Sequence, residues 1–491
     1  MVPSKRLAPS RRLTGGSALV LAVLLSSTVS GAAFAQVQVQ SLAPPDLFST
    51  PAGETGLTGD LWKDASPGIA RDVLPRLAAK PLSPASAALA RRVLATGANA
   101  PAGIGDDPDL GAARAMALIA LGDAKGADTV LDRVPGVASS SALSQAAAEA
   151  ALIIGADDKA CRIGEALSVE RGAAYWLRLR AFCQVLGGQR DAAQLTLSLA
   201  LQQAKDPDYA RLMGAVISGT PAGAANLRNG INYALSRKLG LDPRAAAATA
   251  SPALKPVLKP TGDVAVLAGG ADLTAAQASD LAFLRQAKGL AAFTDAAQAS
   301  LPSIAALARA DAPLEDPVLL ARAALAAGDL ATARTIRGRL TGDTIPGATS
   351  TDMSLLDAAL AAADGRKDSQ ILDGLIERGA QAGPKSPAQP AALILAALGG
   401  AMSPEARAQF ASLDPGKSIA SAARLTALDD AAAAHRQGEA ALLALSVCAE
   451  AGTAGPGPVD RARLVRALLR AGLETDARAL AVEGLLALQV K

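Results

Sequence analysis

Apolar residues recur along this chain at three- and four-residue intervals, as in Leu177 and Ala181 or Leu197 and Ala200, with polar residues between them. That period belongs to α-helices carrying one apolar stripe and one solvated face. Strand signals are nearly absent, and Val264 to Leu267 is the one brief run with β-branched character. The stripes are interrupted by a Gly followed five residues later by Ala: Gly122 and Ala127, Gly155 and Ala160, Gly188 and Ala193. The glycines lie 33 residues apart, and the pair returns as Gly328 with Ala333 and Gly472 with Ala477. Gly lets the chain reverse between two helices, and Ala early in the second helix lets the backbones approach. Gly365, Gly400 and Gly438 are further turn candidates that lack the Ala, which marks degenerate hairpins.

A 33-residue unit with large, small, turn, small, large and small residues at Leu177, Ala181, Gly188, Ala193, Leu197 and Ala200 resembles a tetratricopeptide repeat. The resemblance implies an all-α chain, an α-solenoid of tetratricopeptide-like helical hairpins in two lobes. The Trp and Tyr usual in the first helix of such repeats are mostly missing here. Helix starts are expected at Ser83-Pro84, Asp107-Pro108, Asp316-Pro317, Ser386-Pro387 and Ser403-Pro404, each a capping oxygen ahead of a proline suited to the first helical position. Thr274 with Gln277 is a candidate capping box. Residues 36–58, rich in Pro and Gly, read as a flexible leader, and residues 219–272, broken by five prolines, as a joint around one helix from Asn226 to Leu239. The lobes then occupy residues 59–218 and 273–491.

Composition adds an address. Lys5, Arg6, Arg11 and Arg12 precede an apolar run, Ala18 to Leu25, and a small-residue ending at Ala33-Phe34-Ala35. This is the pattern of a cleaved secretory signal over residues 1–35, which places the mature chain in the periplasm. Removing its four cations and no acid takes the formal charge from +3 to −1. A near-neutral chain with 2% aromatic residues lacks the basic excess and stacking rings of a nucleic-acid binder. No later apolar run is long enough to span a bilayer. In an oxidising compartment Cys161 and Cys183 are the candidate disulfide, since they fall on helices expected to be neighbours, with free buried thiols as the alternative; Cys448 is left over and buried.

Motifs with chemical potential are sparse, and no catalytic, metal or cofactor site is expected. His435 is the only histidine, too few for a zinc hydrolase, and reads as a surface residue. Asp414-Pro415-Gly416-Lys417-Ser418 imitates the end of a phosphate loop but lacks its first glycine, so it reads as a turn in which Ser418 caps the next helix. Asp107, Asp109 and Gly111 imitate a calcium loop whose bidentate acid is replaced by Leu118. Arg461, Arg463, Arg466 and Arg470 form a stripe that reads as a solvated face, with Asp460 capping the last hairpin. Tyr175 and Trp176 read as packing residues.

Leu61-Trp62, Leu89 to Leu94 with Ala98 to Pro101, Ala120 to Asp123, Ala160-Cys161 and Ala181 to Gln184 together resemble a group of exported Ala-rich helical-repeat proteins known from alphaproteobacteria. The resemblance implies export and helical repeats, and no activity. The expected function is a non-enzymatic periplasmic scaffold whose inner face holds a protein or peptide partner of the envelope. The alternatives are an accessory helical protein of peptidoglycan remodelling and a periplasmic motility chaperone.

Overall fold

The computed structural model describes residues 47–104, 107–258, 270–340, 345 and 347–490. The chain divides into residues 1–44 and a compact unit, residues 45–491. The expected signal segment, the leader up to residue 46 and the run Val264 to Leu267 lie outside the described residues. Among those described there are twenty-two α-helices and no strand.

Five hairpins are built on the Gly and Ala pairs. They join α3 (Pro108–Ala120) to α4 (Ala124–Leu131), α5 (Ser141–Ile154) to α6 (Asp157–Ala166) and α7 (Ala174–Leu186) to α8 (Arg190–Gln203). The other two are α13 (Pro317–Ala326) with α14 (Leu330–Gly338), and α21 (Pro458–Arg470) with α22 (Glu474–Ala487). Gly122, Gly155, Gly188, Gly328 and Gly472 adopt φ of 84°, 88°, 76°, 89° and 85°, a left-handed turn that is costly for a residue with a Cβ. Ala127, Ala160, Ala193, Ala333 and Ala477 are each fully buried where the second helix meets the first.

Of the degenerate hairpins one turns at the expected glycine and two at other residues. Between α15 (Ser350–Asp364) and α16 (Ser369–Ala382) the turn is Gly365, at φ 67°. Between α17 (Ala388–Ala397) and α18 (Pro404–Ala411) it is Gly399, at φ 84°, in place of Gly400. Between α19 (Ala422–Ala433) and α20 (Gln437–Ala451) it is His435, at φ 54°, with the fully buried Ala440 five residues on. His435 thus fills the glycine position of a sixth pair. Gly438 lies inside α20, where a Cβ would stand 2.5 Å from the Leu61 carbonyl oxygen and 2.6 Å from the Trp62 ring.

Capping follows the sequence at Asp107, Asp316 and Ser403, whose side chains accept the N–H three residues on. Ser83 instead bonds Ser86, and α17 begins one residue past Pro387. Thr274 and Gln277 fall within α11 (Gly270–Gln286); the capping box is Thr349 with Asp352, opening α15. In the expected joint the helix is α10 (Gly230–Lys238), capped by Asn229, and two 3₁₀ helices follow, Pro243–Thr249 and Pro252–Leu258.

The expected division into lobes 59–218 and 273–491 is not where the core divides. One apolar cluster gathers residues from Leu47 to Ala150 and again from Leu281 to Leu486, and a second runs from Ala148 to Leu235. The reason is that the first helices, α1 (Pro67–Ala79) and α2 (Pro84–Ala95), pack on α20 and α22. Two acids from those last helices serve the open N-termini of the first, and a third meets an arginine in the last turn of α2. Glu439 accepts the Ser66 N–H at 2.7 Å, Glu483 accepts the Ala85 N–H at 2.5 Å, and Asp476 pairs with Arg92. An acid at a helix N-terminus also meets the positive end of its dipole.

Residues 47–58 are not a free leader. Leu47, Phe48 and Thr50 are buried, and Ala98 N–H bonds the Phe48 carbonyl. Gly111, outside any calcium loop, makes room for this segment: a Cβ there would sit 2.5 Å from a Leu47 methyl. Arg114, wholly inaccessible, donates to the carbonyls of Leu47, Thr50, Leu94 and Thr96 and lies over the Phe48 ring.

Candidate functional site

Two adjoining hollows mark the surface. The larger, a groove of about 840 Å³, runs between α2, α13, α22 and α12 (Leu290–Arg309), with small or apolar side chains such as Ala88, Leu290, Ala326 and Ala479 along it. A cavity of about 390 Å³ adjoins it, and Lys80, Pro81, Ala120 and Pro252 line both. Both sit where chain segments far apart in sequence converge, which is why local periodicity did not reveal them.

The cavity is built around Glu149 of α5, 7% exposed. Its Oε2 accepts the Gly230 N–H at 2.7 Å, the first donor of α10. Tyr175 of α7 brings its hydroxyl beside the same carboxylate, at right angles to the buried Trp176. Burial pushes the Glu149 carboxyl above its ordinary 4.5, while the Gly230 and Tyr175 contacts pull the other way. Burial, and then the neighbouring Glu149 charge, push the Tyr175 phenol well above 10. Arg178 pairs with Asp206 at 3.3 Å, donates to the Ala204 carbonyl and lies over the Tyr209 ring. Asp206 also caps α9 (Pro207–Ser218). Ser251 Oγ and Arg178 Nε, both shielded, have no hydrogen-bond partner among the described residues, and the Tyr175 hydroxyl has none beyond its approach to Glu149. Lys80 and Arg228 line the cavity, are exposed, and have no acidic partner among the described residues.

No base is bonded to Ser251 Oγ among the described residues. No cluster of three or more His, Cys, Asp or Glu side chains able to hold a metal occurs among the described residues. Replacing Glu149 by Gln tests the buried charge. The folded carboxyl, with its raised pKa, binds its proton more tightly than the unfolded chain does. Stability therefore falls as pH rises from 4.5 through the folded pKa. Glu149→Gln is expected to lose that slope, so its stability relative to the parent rises with pH; denaturant unfolding across pH checks this, and parallel pH profiles would refute it.

The remaining motifs resolve as structure. Cys161 of α6 and Cys183 of α7 form a disulfide, with S–S 2.02 Å and Cα–Cα 5.7 Å. Cys448 is free and buried in α20, its thiol pushed up to about 11 by burial. Asp460 is the third residue of α21 and does not cap it. Its carboxylate instead accepts from the Ser418 hydroxyl and from the Ile419 and Ala420 N–H groups, so Ser418 anchors a loop rather than capping α19. Of the expected solvated stripe, Arg463, Arg466 and Arg470 are exposed, but Arg461 is buried and paired with Glu483 at 2.7 Å. Sequence reading missed Glu149, Arg114 and Glu483, each an ionisable residue on an otherwise apolar helix stretch. That mismatch was the available signal.

The class these observations define is an all-helical protein of neighbouring helix pairs, carrying a groove with a charged cavity at its side. No protein family matches the chain, and no curated protein or solved structure matches it. No helix among the described residues is long and apolar enough to cross a membrane.

Proposed function

We propose that this chain is a non-enzymatic periplasmic scaffold whose tetratricopeptide-like solenoid of helix pairs holds an extended segment of a protein partner in a cell-envelope assembly. The observation that carries this reading is the groove itself. It is open, floored by small side chains, and bounded by helices from the beginning, middle and end of the compact unit. A floor of Ala lets a partner backbone come close, and the cations and acids along the edge, such as Lys255 with Asp295, supply a polar rim. The Cys161–Cys183 bond supports an oxidising compartment.

Ala88 and Ala479 are exposed residues of the groove, so enlarging them fills it without disturbing the core. A photo-crosslinking residue placed at Gln298, another exposed residue of the groove, is expected in cells to give one discrete protein adduct. The same residue at Leu195, exposed on α8 away from the groove, is expected to give none. Ala88→Trp with Ala479→Trp should abolish the groove adduct while the melting temperature stays put. Equal adducts from the groove and from Leu195, or adducts that survive the double Trp variant, would count against the scaffold.

A further inference from the structure

The side cavity carries a second inference, independent of the scaffold reading. Its bonding groups are out of balance. The two carboxylates that line it are engaged, Glu149 by the first N–H of α10 and Asp206 by Arg178 and the cap of α9. The charged groups left over are both cations, the Lys80 and Arg228 side chains, which have no acidic partner among the described residues. Two unpaired cations beside an apolar space suit a ligand that brings acceptor oxygens and negative charge. Between these groups the walls are apolar, formed by Met116, Ile119, Ile153 and Ile231. At about 390 Å³ the space lies at the small end of pockets that take organic ligands.

We propose that this cavity binds a small organic carboxylate, its anionic group at Lys80 and Arg228, and its aliphatic or aromatic body against Met116, Ile119 and Ile231. A carboxylate suits the site better than a phosphate ester. With Arg178 offset by Asp206 and one of the two unpartnered cations offset by the Glu149 carboxylate, the lining carries one positive charge in excess, which a single carboxylate balances, and the apolar walls need a carbon body. Because the cavity shares Lys80, Pro81, Ala120 and Pro252 with the groove, the same carboxylate has a second source, the C-terminus of a chain lying in the groove.

Matched probes separate these cases. Titrating the full chain calorimetrically with octanoate, octanol and octylamine should show octanoate binding at least about tenfold tighter than the other two. Lys80→Gln with Arg228→Gln, both exposed and so harmless to the fold, should remove that preference; their unchanged melting temperature is the control. A hexapeptide ending in Leu with a free carboxylate is the third arm, run with and without Ala88→Trp and Ala479→Trp. Octanoate binding that survives the two groove-filling changes supports the small acid. Octanoate no tighter than octanol, or indifferent to Lys80→Gln and Arg228→Gln, would overturn the proposal. So would failure of octanoate alongside hexapeptide binding that disappears when the groove is filled, a result that leaves the scaffold reading intact. Failure of the crosslinking test, conversely, does not touch the octanoate result.

Discussion

Replacing Arg114 by Met is expected to cost about 3–5 kcal/mol and to release the segment from Leu47 to Thr50. The guanidinium is wholly buried and bonds the carbonyls of Leu47, Thr50, Leu94 and Thr96 at 2.6 to 3.2 Å. Methionine fills much of the space but donates nothing, so four buried carbonyls lose a partner at once, and Phe48 loses the cation on its ring. Lysine keeps the charge, yet its compact ammonium cannot serve four acceptors spread around a planar fork, so Arg114→Lys should recover only part of the loss. Denaturant unfolding gives the magnitude. Limited proteolysis gives the place, with cleavage near Thr50 appearing in the variant under conditions where the parent is intact. A loss under about 1 kcal/mol would mean that those carbonyls find other partners.

The second large effect is expected at the seam between the first and last helices. Arg461 and Glu483 are 2% and 6% exposed by side chain and bond at 2.7 Å. Glu483 also receives the Ala85 N–H from α2, and Arg461 donates to the Pro456 and Leu480 carbonyls. Arg461→Met strands a buried carboxylate and should cost about 3–5 kcal/mol. Adding Glu483→Gln removes the stranded charge while keeping an acceptor for Ala85, and the double variant should regain most of that loss. The coupling in the double-mutant cycle is thus expected to be large, because the single change exposes the cost of an unpaired charge rather than the net worth of the pair. Additive effects would show that the two side chains do not depend on each other.

The hairpins were legible because their chemistry is local. A left-handed turn selects Gly, a close crossing selects Ala, and five residues separate the two demands, so Gly122 and Ala127 announce themselves. The α19 to α20 turn escaped notice because His435 accepts the left-handed conformation in place of Gly, which polar side chains sometimes do. Gly438 misled for the opposite reason: its missing side chain serves an approach to Leu61 and Trp62, more than 370 residues earlier, and not a turn. Arg461 shares the helical spacing of three exposed arginines, and nothing within α21 distinguishes it; only the arrival of α22 and α2 does. The side cavity was illegible on the same grounds. Glu149, Tyr175, Lys80, Arg228 and Ser251 come from five separate stretches, and only tertiary packing places them around one space.

The packing of α1 and α2 on α20 and α22 has a consequence for how the polypeptide acquires its structure. In a linear array each unit settles on the one before it, so an unfinished chain can already be ordered. Here Ser66 and Ala85 wait for Glu439 and Glu483, and the apolar side of the earliest helices stays uncovered until almost the whole sequence has been synthesised. Nascent chains stopped short of residue 483 therefore expose sticky surface at both ends, and shortening this protein from its C-terminus should provoke aggregation rather than yield a smaller soluble array.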